Sequence, residues 1–278
     1  MNTDQHGGGG PQRGAEGAKI GIMLVMLLWG AGAAVAAEHE THVVPGVEKS
    51  AKTKVLEAGA ELLQREAPLR RIHAHVCGFH SYSGDMKRQV RADHYCAHLN
   101  DEVRQCVIYD SDKEDARLIG IEYIISERLF RDLPEDEKKL WHSHRHEVKS
   151  GLLVAPGLPE VAENELMEEL VTTYGKTWHT WQVDRGDKLP LGVPQLMMSF
   201  TEDGQVDEAM VRARDEDVGV DTAKKRKARE KIPTREIAPG ADAWQRGEAL
   251  QIRAEKVTSA SDERSAGRSG KMLRFLLR

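Results

Sequence analysis

Val103 to Tyr109 and Leu118 to Ser126, in the middle of the chain, are short apolar-rich runs, the second with Ile119, Ile121, Tyr123 and Ile125 at every second position. Successive side chains of an extended strand point to opposite faces, so this pattern predicts two strands. The polar run Asp110 to Asp115 between them suits a hairpin connection. In the second strand Ile119, Ile121, Tyr123 and Ile125 share one face, while Glu122 lies on the other beside Gly120 and Ile124. A carboxylate with apolar neighbours sits either at a sheet rim or in a pocket. Upstream, His73, His75, Cys77 and Phe79 alternate with Ala74, Val76 and Gly78, which predicts a strand between Ile72 and Tyr82. Arg91 to Leu99 fits a short helix or a strand. Thr177 to Val183 and Gly192 to Phe200 supply two more strands.

Helical periodicity appears in other segments. Val55, Leu56, Leu62 and Leu63 fall near a 3.6-residue spacing, which predicts a helix over Val47 to Glu66, ended by Pro68. Pro134 opens a helical turn whose acids Glu135, Asp136 and Glu137 lie at the positive end of the helix dipole. His142 to Val154 reads as extended. Val161, Leu166, Leu170, Val171 and Tyr174 then form one stripe, with Gly175 as the expected C-terminal cap. Strands and helices do not alternate regularly, so the fold class is α+β: a mainly antiparallel sheet with flanking helices in a single domain over residues 47–254. Residues 38–46 read as a linker. Residues 255–278 have the composition of a disordered tail.

The N-terminus changes the picture. Met1 to Lys19 is Gly-rich and polar, and the run from Ile20 to Ala37 carries no charge. Lys19, a short apolar stretch and Ala34-Val35-Ala36 make residues 1–37 a signal peptide, with an uncleaved membrane anchor as the alternative. The mature chain would start at Ala37 or Glu38 and be exported, either periplasmic or secreted. Cys77, Cys96 and Cys106 would then meet an oxidising compartment, where one disulfide among the three is expected. Cys96 and Cys106 are the nearer pair. A formal charge of -5 argues against nucleic acid as a partner, since phosphate binding needs a concentrated cationic surface.

His142-Ser143-His144 is the sharpest chemical signal. On an extended segment both imidazoles project to one side and can converge on one ion, with His146 in the same row. Further ligands have to come from elsewhere, and Glu122, His94 and His98 are the nearest candidates, with His179 as another. Such nitrogen and oxygen donors suit a divalent metal: zinc, iron or manganese. The competing reading is a set of histidines hydrogen-bonded at a sheet edge, because twelve histidines make coincidental rows common.

Several stretches together resemble a known family: His80-Ser81-Tyr82-Ser83-Gly84-Asp85, the run from His94 to Gly151, Trp178 to Asp187 continuing to Met198, and Ala238 to Trp244. They resemble the oil-body-associated proteins of plant seed lipid droplets and their bacterial and fungal relatives. The resemblance implies lipid bodies or a lipid surface as partner and supplies no reaction. The signal-like leader departs from what seed oil-body targeting would need. Two functions follow as expectations: a non-catalytic protein of lipid bodies or envelope lipids with a polar His/Glu pocket, or a metal-dependent enzyme using His142, His144 and Glu122.

Overall fold

The structure, a computed structural model, describes residues 44–64 and 67–255. The expected signal peptide and the tail beyond residue 255 lie outside these residues. Seven strands carry the domain: β1 (Ala74–Tyr82), β2 (Asp85–Asn100), β3 (Val103–Tyr109), β4 (Leu118–Ser126), β5 (His142–Ser143), β6 (Thr173–His179) and β7 (Gln195–Met198). β1 to β4 form an antiparallel meander. β6 pairs along its full length with β4 and also with β7, and β7 returns to β1. The expected sheet is therefore a closed six-stranded barrel, with β5 added to β6 at Gly175 and Tyr174. Closure leaves no free edge on β1 or β4, and it needs the β4–β6 pairing across about fifty residues of chain, which local periodicity does not report.

Helices α1 (Ala51–Leu63), α2 (Glu127–Arg131), α3 (Glu135–Lys138), α4 (Arg145–Ser150), α5 (Glu160–Leu170), α6 (Glu208–Val218) and α7 (Thr222–Ala228), with short 3-10 turns at Leu69–Arg71, Val183–Arg185 and Ala243–Arg246, complete the described elements. The strands over residues 103–109 and 118–126 stand where the apolar pattern predicts them. Two expectations are corrected and one open alternative is decided. The segment after His142 is extended for only two residues before α4 begins. Gly175 does not cap a helix: α5 ends at Leu170, and Tyr174 and Gly175 belong to β6, where β-pairing overrides the helical stripe. The ambiguous 91–99 segment is part of a sixteen-residue strand. Among the described residues no helix is long and apolar enough to cross a membrane.

The barrel interior is layered. Val76, Cys96, Cys106 and Ile124 join Met167 and Leu170 of α5 and Val148 of α4 in an apolar plug at one end. Tyr82, Val90, Ala92, Ile108 and Met197 fill the other. Between them, on the same inward faces of β1, β2 and β4, stand the buried polar residues His80, His94 and Glu122. The outer face of β1 is covered as well, with Phe79 in a cluster with Leu152 and Phe200 against Met210 of α6.

Two buried arginines hold the C-terminal helices to this frame. Arg229 donates to the carbonyls of Val148 (3.1 Å) and Leu153 (2.6 Å) and pairs with Glu163. Arg214 donates to the carbonyl of Leu152 at 2.8 Å. Both fix the backbone that frames α4.

Cys96 and Cys106 face each other across β2 and β3 and form a disulfide, while Cys77 is a buried free thiol that burial pushes up to about 12. Unfolded, non-reduced protein should accordingly titrate one thiol per chain. Replacing Cys96 and Cys106 together by Ala should lower unfolding stability by about 2–3 kcal/mol, the chain-entropy value for a loop of this length. Three reactive thiols in the non-reduced denatured chain would contradict the pairing.

Candidate metal centre

Glu122 is the hub of the polar layer. It is 2% exposed, and four imidazoles turn their Nε2 atoms toward it. His94 Nε2 lies 2.8 Å from Oε2 and His80 Nε2 4.0 Å from the same oxygen. His144 Nε2 lies 3.1 Å and His142 Nε2 3.4 Å from Oε1. β1, β2 and β4 supply His80, His94 and Glu122 directly. β5 supplies His142, and His144 follows at the N-terminus of α4 with φ -87° and ψ 0°. The two histidines thus reach one carboxylate through a strand followed by a turn, not through the longer extended segment expected.

The ring orientations of His94, His144 and His80 are set by the other nitrogen of each imidazole, with tautomers that follow from the hydrogen-bond network. His94 Nδ1 lies 3.1 Å from the carbonyl of Ala92, which can only accept. His144 Nδ1 lies 2.8 Å from Thr173 Oγ1, whose own hydroxyl donates to the carbonyl of Leu170. His80 Nδ1 lies 3.2 Å from His179 Nε2. His94 and His144 therefore donate from Nδ1 and, when neutral, aim an Nε2 lone pair at a carboxylate. Two lone pairs and an anion at this spacing repel unless a cation lies among them.

Unpartnered atoms point the same way. Eight buried side-chain nitrogens and oxygens lack a hydrogen-bond partner among the described residues. Five belong here: His94 Nε2, both ring nitrogens of His142, His179 Nδ1 and Thr177 Oγ1. His94 Nε2 is close to Glu122 yet off the line of a hydrogen bond. Buried polar groups are rarely left unsatisfied, and a bound ion is a standard reason. The spacing fits as well. Two ligands of one ion with bonds of about 2.0–2.2 Å stand roughly 2.8–3.6 Å apart at tetrahedral to octahedral angles, which spans the three short contacts.

Gly175 makes room. A Cβ there would stand 1.9 Å from Glu122 Oε1 and 2.8 Å from Nε2 of both His142 and His144, so no other residue fits while these donors converge. Asp242 locks the turn between the two histidines by accepting from Ser143 N at 2.9 Å and Ser143 Oγ at 2.7 Å. Glu147, also buried, lines a cavity of about 10 Å³ with His80, His94, Glu122 and His144. That volume takes roughly one water molecule.

Of the residues expected from the sequence, Glu122, His142, His144 and His94 come together, and His179 stands behind His80. His98 does not join them. It lies at the barrel rim about 13 Å along β2 from His94, where its Nδ1 is 2.9 Å from His73 Nε2. His146 leaves the row as well, because α4 turns it toward Asp203 at 3.8 Å. His80, Glu147, Gly175 and Asp242 went unassigned. His80 was reachable, since it continues the Val76 and Gly78 face of β1.

A closed antiparallel barrel with a buried histidine–glutamate cluster is the class that fold and site define. The chain matches the family described as a protein of unknown function (DUF1264) over residues 66–233. It is 47% identical over 227 residues to oil body-associated protein 1A of Zea mays, covering 81% of this chain and 95% of the relative. Oil body-associated protein 1B of Arabidopsis thaliana is 44% identical over 212 residues, 76% of this chain and 88% of its own. Oil body-associated protein 2C of Arabidopsis thaliana is 46% identical over 208 residues, 74% and 88% respectively. No solved structure matches. The chain belongs to the oil-body-associated (DUF1264) family.

Charge within the cluster follows from burial and neighbours. Burial pushes His80 well below its ordinary value and takes His179 down to about 3, so both are neutral. Burial also opposes charge on Glu122, but the His94 charge and the close approach of the His142 and His144 rings override it and hold the carboxyl well below the usual range. Burial is likewise overridden at His94 and His142, which Glu122 holds above the ordinary histidine value. Without a metal, then, the carboxylate is answered by protons on imidazoles.

The stability of metal-free protein should therefore peak near the unfolded histidine value of about 6.5. The depressed pair His80 and His179 contributes fully above that pH and loses its contribution as pH falls. The raised pair His94 and His142 contributes fully below it and loses its contribution as pH rises through the folded values. Each uncompensated proton gives a slope of about 1.4 kcal/mol per pH unit. Chemical denaturation of chelator-treated protein between pH 5 and 8 checks this, and a flat profile would count against the assignment.

Proposed function

We propose that this chain is an exported, lipid-surface-associated protein whose barrel closes round a divalent cation. The cation reading rests on one observation above all: His94 and His144, with Nδ1 committed elsewhere, both aim Nε2 at a single buried carboxylate. Imidazole and carboxylate donors suit zinc, iron or manganese. A metal would replace the protons that otherwise neutralise Glu122, and it would bridge the apolar plugs at the two barrel ends by joining β1, β2, β4 and β5.

The lipid reading takes its cue from the relatives named for oil bodies. Two uncovered apolar surfaces of this chain support it. α1 buries none of its residues, and Val55, Leu56, Leu62 and Leu63 are all exposed. On the outer barrel face Leu69, Leu118, Ile121 and Tyr123 are exposed too. The Cys96–Cys106 bridge suits export to an oxidising compartment. The enzyme alternative has one observation in its favour, the buried acid Glu147 beside the cluster. A cavity with room for about one water leaves no place for a larger substrate in the closed barrel.

Elemental analysis of full-length protein purified without chelator should find zinc, iron or manganese. Chelation should lower the melting temperature, since a ligand at a hundred times its Kd contributes about 2.7 kcal/mol to the folded state. Gly175→Ala should abolish metal retention and cost about 1–3 kcal/mol by overpacking. Absence of metal, with no thermal shift on adding any of the three ions, would refute the cation reading.

Flotation on phospholipid-coated triacylglycerol droplets tests the other half. The full chain should float, and Ile121→Asp with Tyr123→Asp should weaken binding roughly tenfold or more, as expected when apolar side chains no longer leave water. Full-length protein that stays below the droplets would refute surface association.

A further inference from the structure

The donors do not form one ring round one point. They fall into two triads that share Glu122: His80, His94 and Glu122, and Glu122, His142 and His144, each with its ligand atoms within 4.8 Å of one another. The carboxylate divides between them, Oε2 facing His94 and His80, and Oε1 facing His144 and His142. We propose that the barrel holds two divalent cations bridged by Glu122, one in each triad. This rests on the cation reading above and deepens it.

Each triad has its own supports. In the first, His94 is oriented by the Ala92 carbonyl and His80 by His179. In the tautomer where His80 Nδ1–H donates to His179 Nε2, His80 Nε2 presents its lone pair toward Oε2. In the second, His144 is oriented by Thr173, and Ser143 is tied to Asp242. Second-shell partners of this kind fix the tautomer and direction of metal-binding imidazoles.

The cavity of about 10 Å³ lies between the triads, lined by His80 and His94 of the first, His144 of the second, the shared Glu122 and Glu147. Gly175 lets the donors of the second triad converge, since a Cβ there would meet Oε1 and both Nε2 atoms. A carboxylate that bridges two ions about 3.5–4 Å apart is the usual arrangement of two-metal sites. Glu147 is a further buried carboxyl beside the cluster, and Asp242 another behind the His142–His144 turn. One ion at the centre would leave His80 with its Nε2 4.0 Å from the shared carboxylate and no role for the Glu147 side of the cavity.

The test is metal stoichiometry of the full chain after dialysis against excess manganese and then against metal-free buffer. Two ions per chain, with an electron paramagnetic resonance spectrum of an exchange-coupled manganese pair, are expected. His94→Ala and His144→Ala should each retain one ion with an isolated-ion spectrum, while circular dichroism shows the fold kept. Where His94→Ala fails to fold, His80→Asn serves for the same triad. One ion per wild-type chain would overturn the pair while leaving the single-cation reading standing. Two uncoupled ions would overturn the Glu122 bridge. No bound ion would overturn both readings.

Discussion

An ionised carboxylate inside a closed barrel is the constraint on which the rest of the structure depends. Removing such a charge from water is strongly unfavourable unless opposite charge stands beside it. Among the described residues no arginine or lysine forms an ion pair with Glu122, only imidazoles. The compensating charge is therefore either a proton on a ring or a metal, and the site is built so that both are accommodated. His94 and His142 rise toward protonation because Glu122 is there, whereas His80 and His179, farther from its oxygens, remain neutral.

The fold exists to bring these donors together from segments far apart in the chain. β1 and β2 contribute His80 and His94 from one hairpin, and β4 contributes Glu122. Only the β4–β6 pairing brings Gly175 opposite Ile124, beside Glu122, and lets β5 add at Gly175 with His142. The interior alternates accordingly: an apolar plug, a polar layer, then a second plug. The buried salt bridge of Arg229 with Glu163 and its bonds to Val148 and Leu153 hold α4 at the correct height for His144 and Glu147. The buried polar residues thus lie in one layer of side chains, and the rest of the core fixes its position.

Much of this was legible in the sequence, for local reasons. The strands around Cys106 and Glu122 follow from their short apolar-rich runs, and the alternation in the second also put Glu122 on the face away from Ile121 and Tyr123. The pairing of His142 with His144 was visible from spacing, although a turn and not a long strand brings it about. What stayed hidden depends on long-range pairing. Barrel closure has no local signature, so the fold read as an open sheet. Gly175 read as a helix cap because a glycine after an apolar stripe usually is one, and its true reason is the approach of three donor atoms from β4, β5 and the N-terminus of α4. His98 shares a face with His94, but the distance along the strand excludes it. Glu147 and Asp242 carry no pattern that marks them, since their roles come from buried contacts across the chain.

X-ray absorption at the metal edge of purified full-length protein addresses the buried cluster most directly. A cation held by Glu122 and its histidines gives a first shell of nitrogen and oxygen at about 2.0–2.2 Å with imidazole multiple scattering. That scattering should be lost in Glu122→Ala. A metal surrounded only by water oxygens, or scattering unchanged by Glu122→Ala, would contradict it.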